Sequence, residues 1–354
     1  MRVLFVTGRE ITYPRNDVLL RAFGRFAEVT SIAPRTRQPL LLASMQGTAR
    51  ALRHLARRDY DLVFVGFYGH LLALPLGWLS GRPLLFDAFV STYDTLCYDR
   101  RRFSSKSLVG GLARMLDRAS CHIANTVLLD TPQHELYFAE VLRVPASKLT
   151  SLPVGCNEDL FYPRPPTCNA PTRVLYYCSY MPLHGVDTVL RAAASLRGAP
   201  LRFRLVGSGQ EYGNARSLAE RLSLDNVEFL PDVPLVDLPR EIAAADICLG
   251  GHFGQTGKAG RVIPGKIYQI LAMARPLIAA ETPANRELLT HGEDSYLSPP
   301  GAPDALAHAI LELSKDPLLR RHLGANGRRL YEERCSEEII TQTLRQIAQS
   351  MLER

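Results

Sequence analysis

Short runs of aliphatic and β-branched residues alternate along this chain with longer segments whose apolar positions recur at helical spacing. In the first half the short runs are "RVLFVT" (2–7), "EVTSI" (28–32), "DLVFVG" (61–66), "PLLFDA" (83–88), "CHIAN" (121–125) and "KLTSLPV" (148–154), and each predicts a strand. Between them the spacing predicts helices near 14–26, 42–58, 105–119 and 132–142. Such alternation predicts an α/β fold with a parallel sheet covered by helices. The stretch "FYPRPPTCNAPT" (161–172) breaks the pattern, because its four prolines exclude an interior helix or strand, and the linker is placed there. The alternation then restarts. Strands are expected at 173–178, 201–207, 227–230, 246–251 and 276–280. Helices are expected near 185–197, 211–223, 236–245, 264–274, 284–291, 303–314, 317–333 and 336–352. The resulting architecture is two successive Rossmann-like domains, residues 1–165 and 166–335, followed by a closing helix at 336–354.

A length of 354 residues suits two cores better than one. A hydrophobic content of 46% with 22% charged residues is that of a folded globular chain. The net charge of +7 sits in the first half, where residues 1–165 hold 21 Lys+Arg against 14 Asp+Glu; the remainder balances. Such asymmetry points to an acidic partner for that half or to a solubilising surface. Seven scattered cysteines contain no CxxC pair, which argues for free thiols in a reducing compartment and against a metal cluster. The most apolar stretch, "LLALPLGWL" (71–79), is broken by Pro75 and Gly77 and is far short of a membrane-spanning helix.

In open parallel sheets ligands bind at the carboxyl ends of the strands, beside helix N-termini, and that rule selects the loops to inspect. "LVGSGQE" (205–211) carries Gly207 and Gly209, which would let a phosphate or ribose approach the backbone. It is not GxGxxG, which disfavours a nicotinamide enzyme. "YYCSYMPLHG" (176–185) puts His184 at a helix entry, where it could donate to a phosphate or simply sit in a turn. "GGHFGQTGKAGRVIPGKIYQ" (250–269) places Lys258, Arg261 and Lys266 within nine positions of a Gly-rich loop. Pro264 suits the start of a helix, and cations at a helix N-terminus are unfavourable unless an anion lies between them. The group is read as a phosphate or pyrophosphate site, with Gln269 on the same helix face as Lys266 and available to a ribose or sugar hydroxyl. In the first half, Gly8 follows the first strand and permits close backbone approach. Asp87 ends another strand, where it could orient an acceptor hydroxyl with Asp94 and His70 as companions, or serve as a structural partner.

These loops, in this order, resemble the retaining family 4 glycosyltransferases of GT-B fold. "CSYMPLHG", "LVGSGQE" and "RVIPGKIYQILAMARPLIA" stand where that family has its Arg/Lys loop, its GxG strand end and its Glu-x7-Glu segment. "LPVGCNEDLFYP" (152–163) resembles the segment before the family's hinge. The resemblance implies a nucleotide diphosphate sugar between two domains, transfer with retained anomeric configuration, and a last helix that crosses back to the first domain. This chain departs from the pattern at four positions: Tyr180 and His184 replace the loop Arg and Lys, while Arg261 and Gln269 replace the two glutamates. The cationic duty is therefore expected to fall on Lys258, Arg261 and Lys266, with Gly8, His184, Gly207, Gly209 and Gln269 completing a donor site. Lys266, Arg261 and Asp87 are the catalytic candidates.

Negative charge develops on the leaving β-phosphate during such a transfer, and fixed cations there stabilise the transition state. No divalent metal and no cofactor is expected, since no DxD-type cluster occurs. The expected acceptor is a glycan or a lipid-linked molecule. Arg50, Arg53, His54 and Arg57 are spaced for one helix side, with Leu41, Met45, Leu52 and Leu55 elsewhere. Arg100, Arg101, Arg102, Lys106, Arg114 and Arg118 form a second basic group among apolar residues. Basic amphipathic surfaces of this kind fit an anionic membrane, so the expected location is cytoplasmic and peripheral at the inner face of the membrane. Nucleic acid is disfavoured because aromatics are not interleaved with these cations. The alternatives are a non-catalytic sugar-nucleotide binder and a nucleotide-sugar epimerase or hydrolase of the same fold.

Overall fold

In the computed structural model, residues 1–34, 39–100, 102–165 and 170–353 are described; Arg101, Cys168 and part of the proline-rich stretch 161–172 lie outside them. The chain divides into two compact units, Met1–Asn157 with Ser336–Arg354, and Glu158–Cys335. The division falls before the proline-rich stretch. The first unit runs β1 (Arg2–Val6), α1 (Pro14–Gly24), β2 (Glu28–Ile32), α2 (Leu40–Leu55), β3 (Leu62–Val65), α3 (His70–Leu79), β4 (Leu84–Asp87), α4 (Thr92–Asp94), α5 (Leu108–Ile123), β5 (Thr126–Leu129), α6 (Pro132–Glu140) and β6 (Leu149–Ser151). The second runs β7 (Thr172–Tyr177), α7 (Val186–Ser195), β8 (Leu201–Val206), α8 (Tyr212–Arg221), β9 (Val227–Leu230), α9 (Leu238–Ala243), β10 (Ile247–Gly251), α10 (Gly265–Ala272), β11 (Leu277–Ala280), α11 (Pro283–Arg286), β12 (Tyr296–Ser298), α12 (Pro303–Lys315) and α13 (Pro317–Arg334). The last helix, α14 (Glu337–Leu352), belongs to the first unit.

Among the described residues each unit holds one six-stranded parallel sheet, ordered β2-β1-β3-β4-β5-β6 in the first and β12-β11-β10-β7-β8-β9 in the second. The fold is thus α/β with two Rossmann-like units. The central strands β1, β3 and β4 are buried on both faces, which is why they read as continuous apolar runs rather than alternating ones. One face of the first sheet packs on α3 and α5 through Leu72, Leu76, Ala113 and Cys121. The other packs on α1 and α14, where Ile340, Leu344 and Ala348 meet Val3, Phe5, Val18 and Phe23. Glu337, in the first turn of α14, is held by Arg21 at 2.8 Å and Arg25 at 2.7 Å.

Several elements differ from the sequence reading. Residues 121–123 close α5, and the strand begins only at Thr126. Asp117, Ser120 and Cys121 are buried at helical spacing, so packing on the sheet holds the segment helical. The run 71–79 forms most of α3 despite Pro75, because Leu72, Ala73 and Leu76 all bury against the sheet. Gly77 lets α5 approach closely: a Cβ there would lie 2.6 Å from Ile123 Cγ1. The helix expected at 284–291 shrinks to Pro283–Arg286, and β12 lies at a sheet edge that the pattern did not reveal.

The strand orders create one crossover point per sheet. In the second unit it lies between β7 and β10, since the chain leaves β7 toward β8 and β9 and later returns to β10 on β7's other side. In the first unit it lies between β1 and β3. Crevices at such points, beyond the strands' carboxyl ends, are where open α/β sheets take ligands.

Candidate functional site

The loops after β7 and β10 meet at the second unit's crossover point. The Phe253 and Gly254 amides donate to the carbonyls of His184 (3.3 Å) and Leu183 (3.1 Å). The approach is closer than side chains allow. A Cβ on Gly254 would lie 2.4 Å from the Pro182 carbonyl oxygen, and one on Gly185, at φ +62, would lie 2.3 Å from the Gly254 nitrogen. His184 is thereby fixed beside the loop that carries Lys258, Arg261 and Lys266.

Lys266 stands in the first turn of α10, behind Pro264, which occupies the N-cap. Its side chain is buried, and its Nζ has no hydrogen-bond partner among the described residues. The ammonium instead lies 4.4 Å from the Tyr176 ring centroid and 5.6 Å from that of Tyr177. Ring faces attract a cation, which offsets part of its desolvation. The offset is incomplete, because burial pulls the Lys266 pKa down to about 8. The two tyrosines are tied down by their hydroxyls. Tyr176 donates to the His184 carbonyl at 2.6 Å, and Tyr177 donates to Gln269 Oε1 at 2.8 Å. Gly251 makes room for the arrangement, as a Cβ there would sit 3.0 Å from Tyr176 Oη and 3.7 Å from Lys266 Nζ.

Two histidines face these cations. The Met181 amide donates to His184 Nδ1 at 3.1 Å, so the neutral ring carries its proton on Nε2. His252, from the end of β10, lies with its ring centroid 5.3 Å from that of His184. Burial first, then the charges of Lys266 and Lys258, push both imidazoles well below the usual histidine range. Both rings therefore stay neutral at physiological pH, and the local positive charge is that of the lysines. Lys258 is buried on the same loop, and the Arg261 amide closes a turn onto its carbonyl at 3.0 Å. Buried lysine ammoniums beside a neutral histidine N–H are donors of the kind a polyanion would need.

The other expected residues have different settings. Gly207 and Gly209 hold φ of +126 and +152, and a Cβ on them would lie 2.0 and 1.9 Å from the carbonyl oxygens of Cys178 and Ser179. Glycine here lets two strand-end loops pack backbone to backbone. Gln269, expected to face a sugar hydroxyl, has its carbonyl oxygen engaged by Tyr177. Tyr180 points into the core, with its ring 5.1 Å from that of Tyr212. Gly8 packs on the β3 side of the first unit's crossover point, where a Cβ would lie 2.0 Å from the Tyr68 carbonyl oxygen. Asp87 departs most from expectation. Its carboxylate is fully buried and held by Arg15, Nη2 to Oδ1 at 3.0 Å, while Arg15 Nη1 donates to the carbonyls of Leu152 and Pro153. Burial pushes the Asp87 carboxyl up and Arg15 pulls it down. It is an internal strut rather than a carboxylate open to an acceptor. His70 and Asp94 are buried as well, His70 with Nε2 3.4 Å from Asp117 Oδ1. Tyr176, Tyr177 and His252 are the site residues the sequence reading missed; the apolar character of β7 disguised the first two as core.

Among the described residues no group of three His, Cys, Asp or Glu side chains is placed to hold a metal ion. Among the described residues six cysteines are free thiols. No described helix is long and apolar enough to cross a membrane.

Residues 171–316 match the family model described as glycosyl transferases group 1. The chain is 28% identical over 213 residues to a Corynebacterium glutamicum protein, the GDP-mannose-dependent monoacylated alpha-(1-6)-phosphatidylinositol monomannoside mannosyltransferase; the match covers 56% of this chain and 55% of that one. The chain spans about half the length, or less, of the first curated relatives it matches. Among solved structures it resembles the sucrose-phosphate synthase of Thermosynechococcus elongatus (TM-score 0.77, 18% identity, 100% of this chain and 99% of that one). It also resembles Anabaena HepE in complex with UDP-glucose (TM-score 0.76, 18% identity, 99% and 100%). These matches support the group 1 glycosyltransferase family, and the fold is GT-B.

Proposed function

We propose that this chain is a retaining glycosyltransferase. In this reading it moves a sugar from a UDP- or GDP-linked donor to a glycan or lipid-linked acceptor in cell-surface polysaccharide or glycolipid synthesis. The observation that carries the reading is the buried Lys266 ammonium, which has no hydrogen-bond partner among the described residues and lies at a crossover point inside the segment matched to the family. A buried cation without a counter-ion is costly unless the protein's working state supplies the anion. GDP-mannose, on which one relative depends, and UDP-glucose, bound in one of the similar structures, are both nucleoside diphosphate sugars.

Lys266, Lys258 and Arg261 hold the pyrophosphate, and His184 Nε2–H donates to one of its oxygens. The bond between the anomeric carbon and the β-phosphate oxygen breaks, and its electron pair stays on that oxygen. The cations stabilise the charge that grows there. The acceptor hydroxyl attacks from the same face and passes its proton to the departing phosphate. No protein carboxylate is required, which fits the enclosure of Asp87 by Arg15.

A second reading, sugar-nucleotide binding without transfer, is favoured by one observation: Gln269 stands where the resemblance expects a glutamate, and its carbonyl oxygen is engaged by Tyr177. Scanning fluorimetry with UDP-, GDP- and ADP-sugars tests both. Stabilisation by one nucleotide class, with slow donor hydrolysis or transfer that retains the anomeric configuration by NMR, is the expected result. No stabilisation by any of them refutes the donor site. Binding without turnover, converted to turnover in Gln269→Glu, selects the second reading.

A further inference from the structure

The helix layer of the first unit bears a second feature, independent of the donor site. Helices α2, α3 and α5 pack side by side on one face of the first sheet, with α3 in the middle. Gly47 of α2 sets the approach, as a Cβ there would lie 3.0 Å from Leu72 of α3. The outward residues of α5 recur at helical spacing: Leu108, Leu112 and Met115, then Arg118 and His122. On α2 they are Leu41 and Met45, then Arg53. Leu52 and Leu55 turn instead toward the core, so the exposed apolar and basic residues of α2 share one side.

The exposure is large. Leu108 is 89% exposed, Trp78 on α3 is 82% exposed, and Leu41, Met45, Leu112 and Met115 each exceed half. Water contact at that many aliphatic and aromatic side chains on one layer marks a docking face. Charge identifies the partner. The helices α2, α3 and α5 contain a single carboxylate, Asp117, and it is buried, accepting hydrogen bonds from Ser91 Oγ and the Thr92 and Tyr93 amides. On these helices the exposed ionic groups are the cations Arg53 and Arg118, with Arg57, Arg102 and Lys106 just beyond the helix ends; the exposed carboxylate Asp59, also beyond the end of α2, is paired with Arg82. An open groove of about 430 Å³ along α5 places Arg114, Arg118 and His122 beside Met115.

We propose that this face docks on an anionic lipid bilayer, with Leu108, Leu112, Met115, Leu41, Met45 and Trp78 entering the interface and the arginines and lysines meeting lipid phosphates. Apolar side chains flanked by cations match the chemistry of an acyl boundary beneath anionic headgroups. A second copy of the chain fits poorly, because a two-fold contact would oppose cations to cations. Nucleic acid fits poorly too, because leucine and methionine offer nothing to a phosphate or a base edge.

The chain contains one tryptophan, Trp78, so its emission reports on this face without labelling. Full-length protein is mixed with phosphatidylcholine vesicles, with and without phosphatidylglycerol, and followed by co-sedimentation and fluorescence. The expected result is co-sedimentation and a blue shift with the anionic vesicles only, both weakened by salt. Leu108→Gln/Leu112→Gln/Met115→Gln should weaken partitioning at least about ten-fold. Arg102→Gln/Lys106→Gln/Arg118→Gln should weaken it by about five-fold per charge. All six side chains point outward, so thermal stability should stay at the parent value. Equal binding to neutral vesicles, or no binding to either, overturns the proposal. So do retention by an oligonucleotide in place of vesicles, a lipid-free blue shift that grows with protein concentration, and parent-like binding by both variants.

Discussion

Replacing Lys266 by methionine separates what the lysine costs the fold from what it does for a ligand. Methionine keeps the unbranched stem and packs against Tyr176 and Tyr177 without a charge to desolvate. In the parent, burial lowers the ammonium pKa from 10.5 to about 8. At about 1.4 kcal/mol per pH unit, the charged form costs the folded second unit about 3 kcal/mol at neutral pH. Because the side chain is buried, little of that cost is screened by solvent. Lys266→Met should therefore raise the melting temperature of the ligand-free protein by about 4–8 °C, taking about 2–4 °C per kcal/mol for a unit of this size and some loss in repacking. It should also raise the dissociation constant for a nucleoside diphosphate at least about 30-fold, the equivalent of about 2 kcal/mol for a buried charge-assisted contact. The pH dependence has a fixed sign. Between about pH 8 and 10.5 the unfolded lysine holds a proton that the folded one has released, so this group adds stability to the parent as pH rises through that window. Over the same rise the ammonium that binds the anion is lost, so parent affinity should fall about ten-fold per pH unit above about 8. Lys266→Met should show neither trend. Scanning fluorimetry and titration calorimetry from pH 7 to 10 measure both. A variant less stable than the parent with undiminished affinity, or a parent affinity flat to pH 9.5, would refute the reasoning.

Other expected outcomes concern the supports of the two units. His184 and His252 are held well below their unfolded range, so the unfolded chain binds more protons than the folded one once pH drops below about 6.5. The second unit should lose stability between pH 7 and 5, and His184→Gln/His252→Gln should flatten that slope in thermal melts. Arg15→Ala strips a buried carboxylate of its partner and should cost about 3–5 kcal/mol by urea denaturation, whereas Arg15→Met/Asp87→Leu should recover most of that loss. Gly209→Ala forces a Cβ within 1.9 Å of the Ser179 carbonyl oxygen at a left-handed φ. It should lower the melting temperature of the second unit and reduce nucleotide binding together, because the loop that carries His184 begins at that contact.

Much of the fold is readable in the chain itself. Continuous apolar runs such as "RVLFVT" and "RVLYYC" announce strands buried on both faces, and the prolines at 161–172 mark a break close to the observed division. The cations Lys258, Arg261 and Lys266 are visible because one loop carries them all. Where local pattern and packing disagree, packing decides. The segment "CHIAN" has strand-like composition yet its first residues end a helix, since Cys121 buries at helical spacing from Asp117. The run "LLALPLGWL" contains a proline yet is helical, because the sheet rewards its inner face.

The site's chemistry was decided by strand order. Periodicity sets which residues alternate along a strand, but it does not say which strand lies next to which. Only the β10-β7-β8 order brings Tyr176 and Tyr177 from the end of β7, and His184 from the loop after it, against His252 after β10 and Lys266 in α10, far along the chain. The same order packs Gly207 and Gly209 against the carbonyls of the β7 loop. Burial did the rest. It enclosed Asp87, which the sequence offers either as an acceptor-orienting carboxylate or as a structural partner, with Arg15, and it left the Lys266 ammonium buried without a hydrogen-bond partner among the described residues. Composition can count charges; desolvation, which ranks them, exists only once the chain has folded around them.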